Sequence, residues 1–203
     1  SVSFYNKRNT GSIQLVKKTN TGENLGGWKI GLYTDSACTN PVSGSPFTTG
    51  ADGTVTVSGL QKGTYYAKEI STDDPYWEFD TAVKSVTVAI SKTAEVTFTN
   101  THYGRIEIRK TTNTGNQLGG WTFRVRDSEG NSYGDFTTDE NGYACTQNLP
   151  LGWYTVVELP TEDNYWLTEL GFHDVTVKAG ETTVDTWLNK EQGLVWFYKK
   201  TNT

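Results

Sequence analysis

A stretch of eighteen residues that returns nearly unchanged one domain-length later limits what this chain can fold into more than any other feature. GSIQLVKKTNTGENLGGW, Gly11 to Trp28, comes back as GRIEIRKTTNTGNQLGGW, Gly104 to Trp121, with NTG and LGGW kept letter for letter. A third copy begins at Gly193 as GLVWFYKKTNT. The steps are 104 − 11 = 93 and 193 − 104 = 89 residues. Self-similarity at a long fixed period marks an array of like units, here each about the size of one small all-β domain. Side chains alternate along a strand, so Ile13, Leu15 and Lys17 share one face. The matching sets are Ile106, Ile108 and Lys110, then Val195, Phe197 and Lys199. A lysine therefore continues an apolar face in every copy.

Length alone allows one or two domains in 203 residues, and the repeat decides for two. Aromatic residues make up 13%, glycine is abundant and methionine is absent, which favours strands and tight turns over packed helices. Alternating β-branched and aromatic runs recur, and no window keeps a helical period. A net charge of −5 without a Lys/Arg cluster excludes a nucleic-acid partner. No stretch reads as a signal peptide, membrane span or anchor motif, so no membrane insertion is expected in this segment. The sequence starts and stops inside the repeat and reads as a piece of something longer. Cys38 in DSACTNP and Cys145 in GYACTQN fall at different places in the two units. A disulfide would have to join the domains, so free thiols are expected. Neither cysteine has companions for metal or redox chemistry.

The expected boundaries are 1–10 for the end of a preceding repeat or a linker, 11–102 and 103–191 for two β-sandwich domains, and 192–203 for the start of a further repeat or a tail. Val2, Phe4 and Asn6 match Val96, Phe98 and Asn100, which gives the opening segment its likeness to a last strand. Six strands are predicted in each unit. In the first they are SIQLVKK, GGWKIGLYT, TVTVSG, GTYYAKEIS, AVKSVTVAI and AEVTFTN. Asp52-Gly53 and Asn141-Gly142 are equivalent turn signals. Between the fourth and fifth strands each unit carries an acidic, aromatic loop, STDDPYWEFD or TEDNYWLTEL. Asp73, Asp74, Glu78 and Asp80 lack EF-hand spacing and are expected to be solvated, with no metal or other cofactor. Tyr76, Trp77, Tyr165 and Trp166 are expected to pack over the open end of the sandwich rather than form a sugar platform.

Three polar residues recur where alternation points them inward: Lys17, Glu69 after Tyr65 and Ala67, and Asn100 after Val96 and Phe98. The second unit offers Lys110, Glu158 and Asn189. A buried, unpaired charge costs several kcal/mol, so three such groups in one small core must satisfy one another. An amine in an apolar core is pushed towards its neutral, nucleophilic form, and a carboxyl there towards its protonated form. The expected chemistry is attack of Lys17 Nζ on the Asn100 carboxamide. Protonated Glu69 would bond the carboxamide oxygen and then pass a proton to departing ammonia. Folding supplies the proximity for this single turnover. A register slip of one residue would put Lys18 inside in place of Lys17. Asp185 stands where alternation expects an apolar residue, which predicts a bulge or shifted register in the last strand of the second unit.

These residues resemble the tandem Cna-B-type (SpaA-like, prealbumin-like) domains of Gram-positive surface adhesins and pilins. The likeness rests on G-x-I-x-L/I-x-K at Gly11–Lys17 and Gly104–Lys110, on Y-x-A/V-x-E at Tyr65–Glu69 and Tyr154–Glu158, and on last strands ending in Asn100 and Asn189. The spans Glu69 to Tyr76 and Glu158 to Tyr165 are similar to the family's E-box. LGGW departs from the family's usual apolar-Gly-Ala-x-Phe. The resemblance implies an all-β chain of two Ig-like or prealbumin-like sandwiches. It also implies isopeptide bonds Lys17–Asn100 and Lys110–Asn189, assisted by Glu69 and Glu158.

The expected function is structural: a stalk segment of an adhesin or pilus outside the cell, on the bacterial cell wall. Its partners would be neighbouring repeats of the same polypeptide, with a host surface protein or glycan met through other domains. The short connections THY and KEQ predict a stiff array. The competing expectation is a binding module that grips glycan or host protein through the loops of Trp77 and Trp166. A hydrolase is disfavoured, because His102 is placed in a linker and His173 on a strand surface, without a nucleophile near either.

Overall fold

The computed structural model describes residues 9–161, 166–169 and 171–193. Val2, Phe4, Asn6, Tyr165, Val195, Phe197 and Lys199 lie outside the described residues. Contacts divide the chain into two compact units, with the division between His102 and Tyr103. The first holds β1 (Thr10–Thr19), β2 (Lys29–Tyr33), β3 (Phe47–Thr48), β4 (Thr54–Gln61), β5 (Gly63–Ile70), β6 (Trp77–Glu78), β7 (Lys84–Val88) and β8 (Thr93–His102). The second holds β9 (Arg105–Thr112), β10 (Thr122–Asp127), β11 (Ser132–Thr137), β12 (Tyr143–Cys145), β13 (Gly152–Glu158), β14 (Trp166–Leu167), β15 (His173–Val177) and β16 (Thr182–Glu191).

Each unit is a sandwich of two four-stranded sheets. In the first they run β4-β1-β8-β6 and β3-β2-β5-β7, and in the second β12-β9-β16-β14 and β11-β10-β13-β15. Strict alternation builds them. Ile13, Leu15, Val96 and Phe98 from one sheet meet Ile30, Leu32, Tyr65, Ala67, Val86 and Val88 from the other, all in one buried cluster. The second unit repeats this with Ile106, Ile108, Phe123, Val125, Tyr154, Val156 and Trp187. The strands that the sequence did not announce are β3, β6, β11 and β14. Of these, β6 and β14 are two-residue pieces of the acidic loops that pair with the end of the last strand, Trp77 opposite His102 and Trp166 opposite Glu191.

The first and last strands of each unit lie side by side and run in the same direction. Ser12 to Thr19 pairs with Thr93 to Asn100, and Arg105 to Thr112 with Thr182 to Asn189. The second ladder runs without interruption through Asp185, so the bulge predicted there is absent and Asn189 keeps the register of Asn100. A parallel pair needs its partner brought back across the fold, and the close approach at its start explains the first glycine of the repeat. A Cβ on Gly11 or Gly104 would run into the carbonyl oxygen of Ala89 or Lys178.

Candidate functional site

Lys17 is buried to 1% exposure while Lys18 is exposed, which settles the register in favour of Lys17. The turn before β4 fixes this strand end. Lys17 donates its backbone N–H to the Gly53 oxygen at 2.7 Å, and Lys110 does the same to Gly142 at 2.7 Å. Both glycines have positive φ, 79° and 78°, and a Cβ on either would crowd the carbonyl of the lysine.

From β1 the Lys17 side chain crosses the core to β5 of the opposite sheet, where Nζ lies 2.7 Å from Glu69 Oε2. The other carboxylate oxygen, Oε1, accepts a 2.5 Å hydrogen bond from Asn100 Nδ2 on β8. Asn100 is fully buried and Glu69 is 4% exposed. In the second unit Lys110 Nζ lies 3.2 Å from Glu158 Oε2, and Asn189 Nδ2 donates to Glu158 Oε1 at 2.7 Å. The structure thus brings together all six residues singled out from the sequence, in two triplets of like geometry. Burial pulls the pKa of Lys17 below 10.5, with the Glu69 hydrogen bond and charge opposing it in part. Burial likewise lowers the pKa of Lys110, against the charge and hydrogen bond of Glu158.

The carboxamide is held differently from the sequence expectation. Glu69 bonds the nitrogen of Asn100, and the oxygen instead accepts the backbone N–H of Asp80 at 2.9 Å. In the second unit the Asn189 oxygen accepts the N–H of Glu169 at 3.2 Å. A backbone N–H can only donate, so the atom facing it is the oxygen, and the orientation of each carboxamide follows. The carboxylate therefore sits between the amine and the amide nitrogen, touching both.

Sequence reasoning passed over the tryptophan of LGGW. Trp28 covers Lys17 with Nζ 4.4 Å from the ring centre, and Trp121 covers Lys110 at 4.5 Å. Each indole N–H is tied to the backbone, to the Asn24 oxygen at 2.6 Å and the Gln117 oxygen at 2.7 Å. Trp77 packs edge-on against Trp28 with centroids 5.1 Å apart, and Trp166 against Trp121 at 5.6 Å. The loop aromatics thus close over the lysine. Letter-for-letter repetition of LGGW was the available signal. NTG has a comparable explanation in Asn20, which bonds both the N–H and the carbonyl of His102, at 2.8 and 3.0 Å. Asn113 accepts the Glu191 N–H at 2.8 Å.

His102 is not in a linker but ends β8, buried and stacked on Trp77 with centroids 3.8 Å apart. His173 is not a bare surface residue. Its half-buried ring stacks on Trp187 at 3.9 Å and bonds Asp185. Cys38 and Cys145 are free and half-buried.

A duplicated sandwich with a buried Lys–Glu–Asn triplet between its first strand, last strand and opposite sheet defines a prealbumin-like tandem-domain protein. The chain matches the SpaA prealbumin-like fold domain over residues 11–102 and again over 104–191, and it belongs to that family. Among similar solved structures, the Bacillus anthracis TIE protein is 25% identical with a TM-score of 0.48, over 90% of this chain and 34% of that one. A streptococcal ancillary pilin is 18% identical with a TM-score of 0.43, over 91% and 63%. A minor pilin of the Gram-positive pathogen Streptococcus agalactiae is 16% identical with a TM-score of 0.42, over 94% and 100%. The chain thus spans less than two thirds of the length of the first two. No curated protein matches it.

Proposed function

We propose that this chain is a stalk segment of an adhesin or pilus on the surface of a Gram-positive bacterium, in which each unit seals itself with a Lys–Asn isopeptide bond. The observation that carries the reading is the carboxylate that touches amine and amide nitrogen at once, in both units. Glu69 takes a proton from the Lys17 ammonium, leaving a neutral amine. The amine attacks Cγ of Asn100. Glu69 hands its proton to the departing Nδ2 and receives one from the new amide nitrogen. One C–N bond forms, one breaks, ammonia leaves, and Glu69 ends protonated, so no net charge stays buried. Lys110, Glu158 and Asn189 follow the same course.

Two features make this chemistry useful to a stalk. The linked residues lie on the first and last strands, through which a pull on the chain enters and leaves a unit. The bond carries that pull from Lys17 to Asn100 and leaves the 100 − 17 − 1 = 82 residues between them unloaded. The intact mass of the denatured protein tests the reading. The expected result is a loss of two ammonias from the sequence mass, and of one in Glu69→Ala. An unchanged mass overturns it.

A second reading has its own observation. A cleft of about 550 Å³ opens beside Trp28, Trp77 and His102, and a smaller one of about 280 Å³ beside Trp121 and Trp166. Binding to a glycan array that is lost on Trp77→Ala would make this a ligand module, and silence on the array would leave the stalk.

A further inference from the structure

The acidic loop between β5 and β7 has no part in the chemistry above, yet its end touches the reacting group. We infer that the backbone N–H of Asp80, and that of Glu169 in the second unit, stabilises the oxygen of the tetrahedral intermediate when the lysine attacks. This inference rests on the crosslinking reading and names a catalytic group which that reading lacks.

The geometry is a two-point clasp, and both units have it. Asp80 donates its N–H to Asn100 Oδ1 at 2.9 Å, and its carboxylate accepts the N–H of Thr99, the residue before, at 3.4 Å. Glu169 donates to Asn189 Oδ1 at 3.2 Å, and its carboxylate accepts the N–H of Leu188, again the residue before, at 3.2 Å. The side chains differ by a methylene, but the pattern of bonds does not. In the first unit Lys84 adds a strap, giving one bond to the Asp80 carboxylate at 2.5 Å and another to the Thr97 carbonyl at 2.6 Å. Short strand β6 or β14 pins the same loop to the last strand a few residues earlier. In the first unit the loop end is therefore fixed on both sides of the N–H.

The chemistry needs a donor at this place. Attack on Cγ turns the carboxamide oxygen from a neutral carbonyl into an oxyanion. Glu69 is occupied with the two nitrogens and offers that oxygen nothing. A preset donor facing developing charge in a water-poor site is worth far more than in water, and losing one such donor slows acyl transfer about 10²–10³-fold. The two sides of the carboxamide are thus divided, with the carboxylate on the nitrogen and the main chain on the oxygen. The Asp80 and Glu169 side chains are positioning groups, and the N–H is the group that meets the reacting atoms.

The test replaces one atom. Full-length chain is made by cell-free translation with a suppressor tRNA charged with the α-hydroxy acid analogue of aspartate, which puts an ester oxygen in place of the residue 80 N–H. Samples are quenched into denaturant at intervals, weighed intact, and digested to locate each crosslinked peptide. Protease resistance before the quench reports folding. The expected result is a folded first unit whose bond forms about 10²–10³-fold more slowly, while the second unit of the same molecule keeps the parent's schedule. The ester at residue 169 should reverse the pattern. Esters that leave both schedules unchanged overturn the inference while the crosslinking reading stands. A parent chain that loses no ammonia overturns both.

Discussion

Asp185 Oδ1 lies 2.6 Å from His173 Nδ1, and its other carboxylate oxygen accepts the indole N–H of Trp187 at 2.7 Å. An acid on an inward-facing position of β16 is thereby satisfied on both oxygens without a break in the ladder. The first unit has apolar Val96 at the equivalent place. Burial works against a charged His173. The hydrogen bond and charge of Asp185, with Glu169 behind them, outweigh it and hold its pKa above 6.5.

Stability of the second unit should therefore fall on the alkaline side. A histidine whose folded pKa is raised contributes fully below its unfolded value of 6.5, and that contribution is lost as pH rises through the higher folded value. Hydrogen exchange of β13 peptides, followed from pH 5 upwards, should show protection declining past neutrality. In His173→Gln the decline should be absent.

The first unit should respond in the opposite sense. Burial lowers the pKa of His102, opposed only in part by Asp74. A histidine kept neutral by the fold costs stability as pH falls below 6.5, where the unfolded chain takes up the proton. Exchange in β5 peptides should quicken below that pH, and His102→Phe, which keeps a ring against Trp77, should remove the effect.

Asp185→Ala strands the Trp187 indole N–H in a core where that side chain has no exposure. An unsatisfied buried donor costs about 1–3 kcal/mol. Denaturant unfolding of the second unit should shift by that amount. A larger loss would mean that the His173 stack depends on the carboxylate as well.

Trp28→Ala removes the ring lying 4.4 Å from Lys17 Nζ and opens the lysine to water. Desolvation is the main cause of the lowered lysine pKa, so hydration should restore the ammonium and slow bond formation in the first unit. Time-resolved intact mass of the nascent chain should find that unit lagging the second. Equal rates would show that the tryptophan serves packing alone.

Loss of the proposed bond has a thermodynamic price in the unfolded chain. For an enclosed loop of 83 residues the chain-entropy relation gives about 4.5 kcal/mol at 25 °C. In Glu69→Ala the thermal transition of the first unit should fall accordingly, with that of the second unchanged.

Period-two alternation carried most of the architecture into view. It placed the inward residues of β1, β5 and β8 and so the whole triplet, because a strand face is a local property. Several things escaped it, the strands β3 and β11 among them. The edge strands β6 and β14 are two residues each, too short to show a period, and are held by pairing with a distant strand. Asp185 read as an irregularity, since its partners His173 and Trp187 are visible only across the fold. The bonding of the Asn100 oxygen could not be read either, because its donor is a main-chain N–H, present at every residue but proline. Trp28 was legible in principle, as part of the repeated LGGW, and was missed because its role needs a neighbour from β1.

Nothing in the triplet is local. Lys17 and Glu69 are 52 residues apart, and Glu69 and Asn100 a further 31. The amine comes from the first strand, the carboxylate from the facing sheet and the amide from the last strand. No fragment short of the whole sandwich can assemble them, and a unit caught partly made has nothing to react with. Bond formation would act as an inspection that only a finished unit passes. Since the product does not revert on melting, each molecule would carry a covalent record of which units had once folded correctly, legible long after the fold itself was lost.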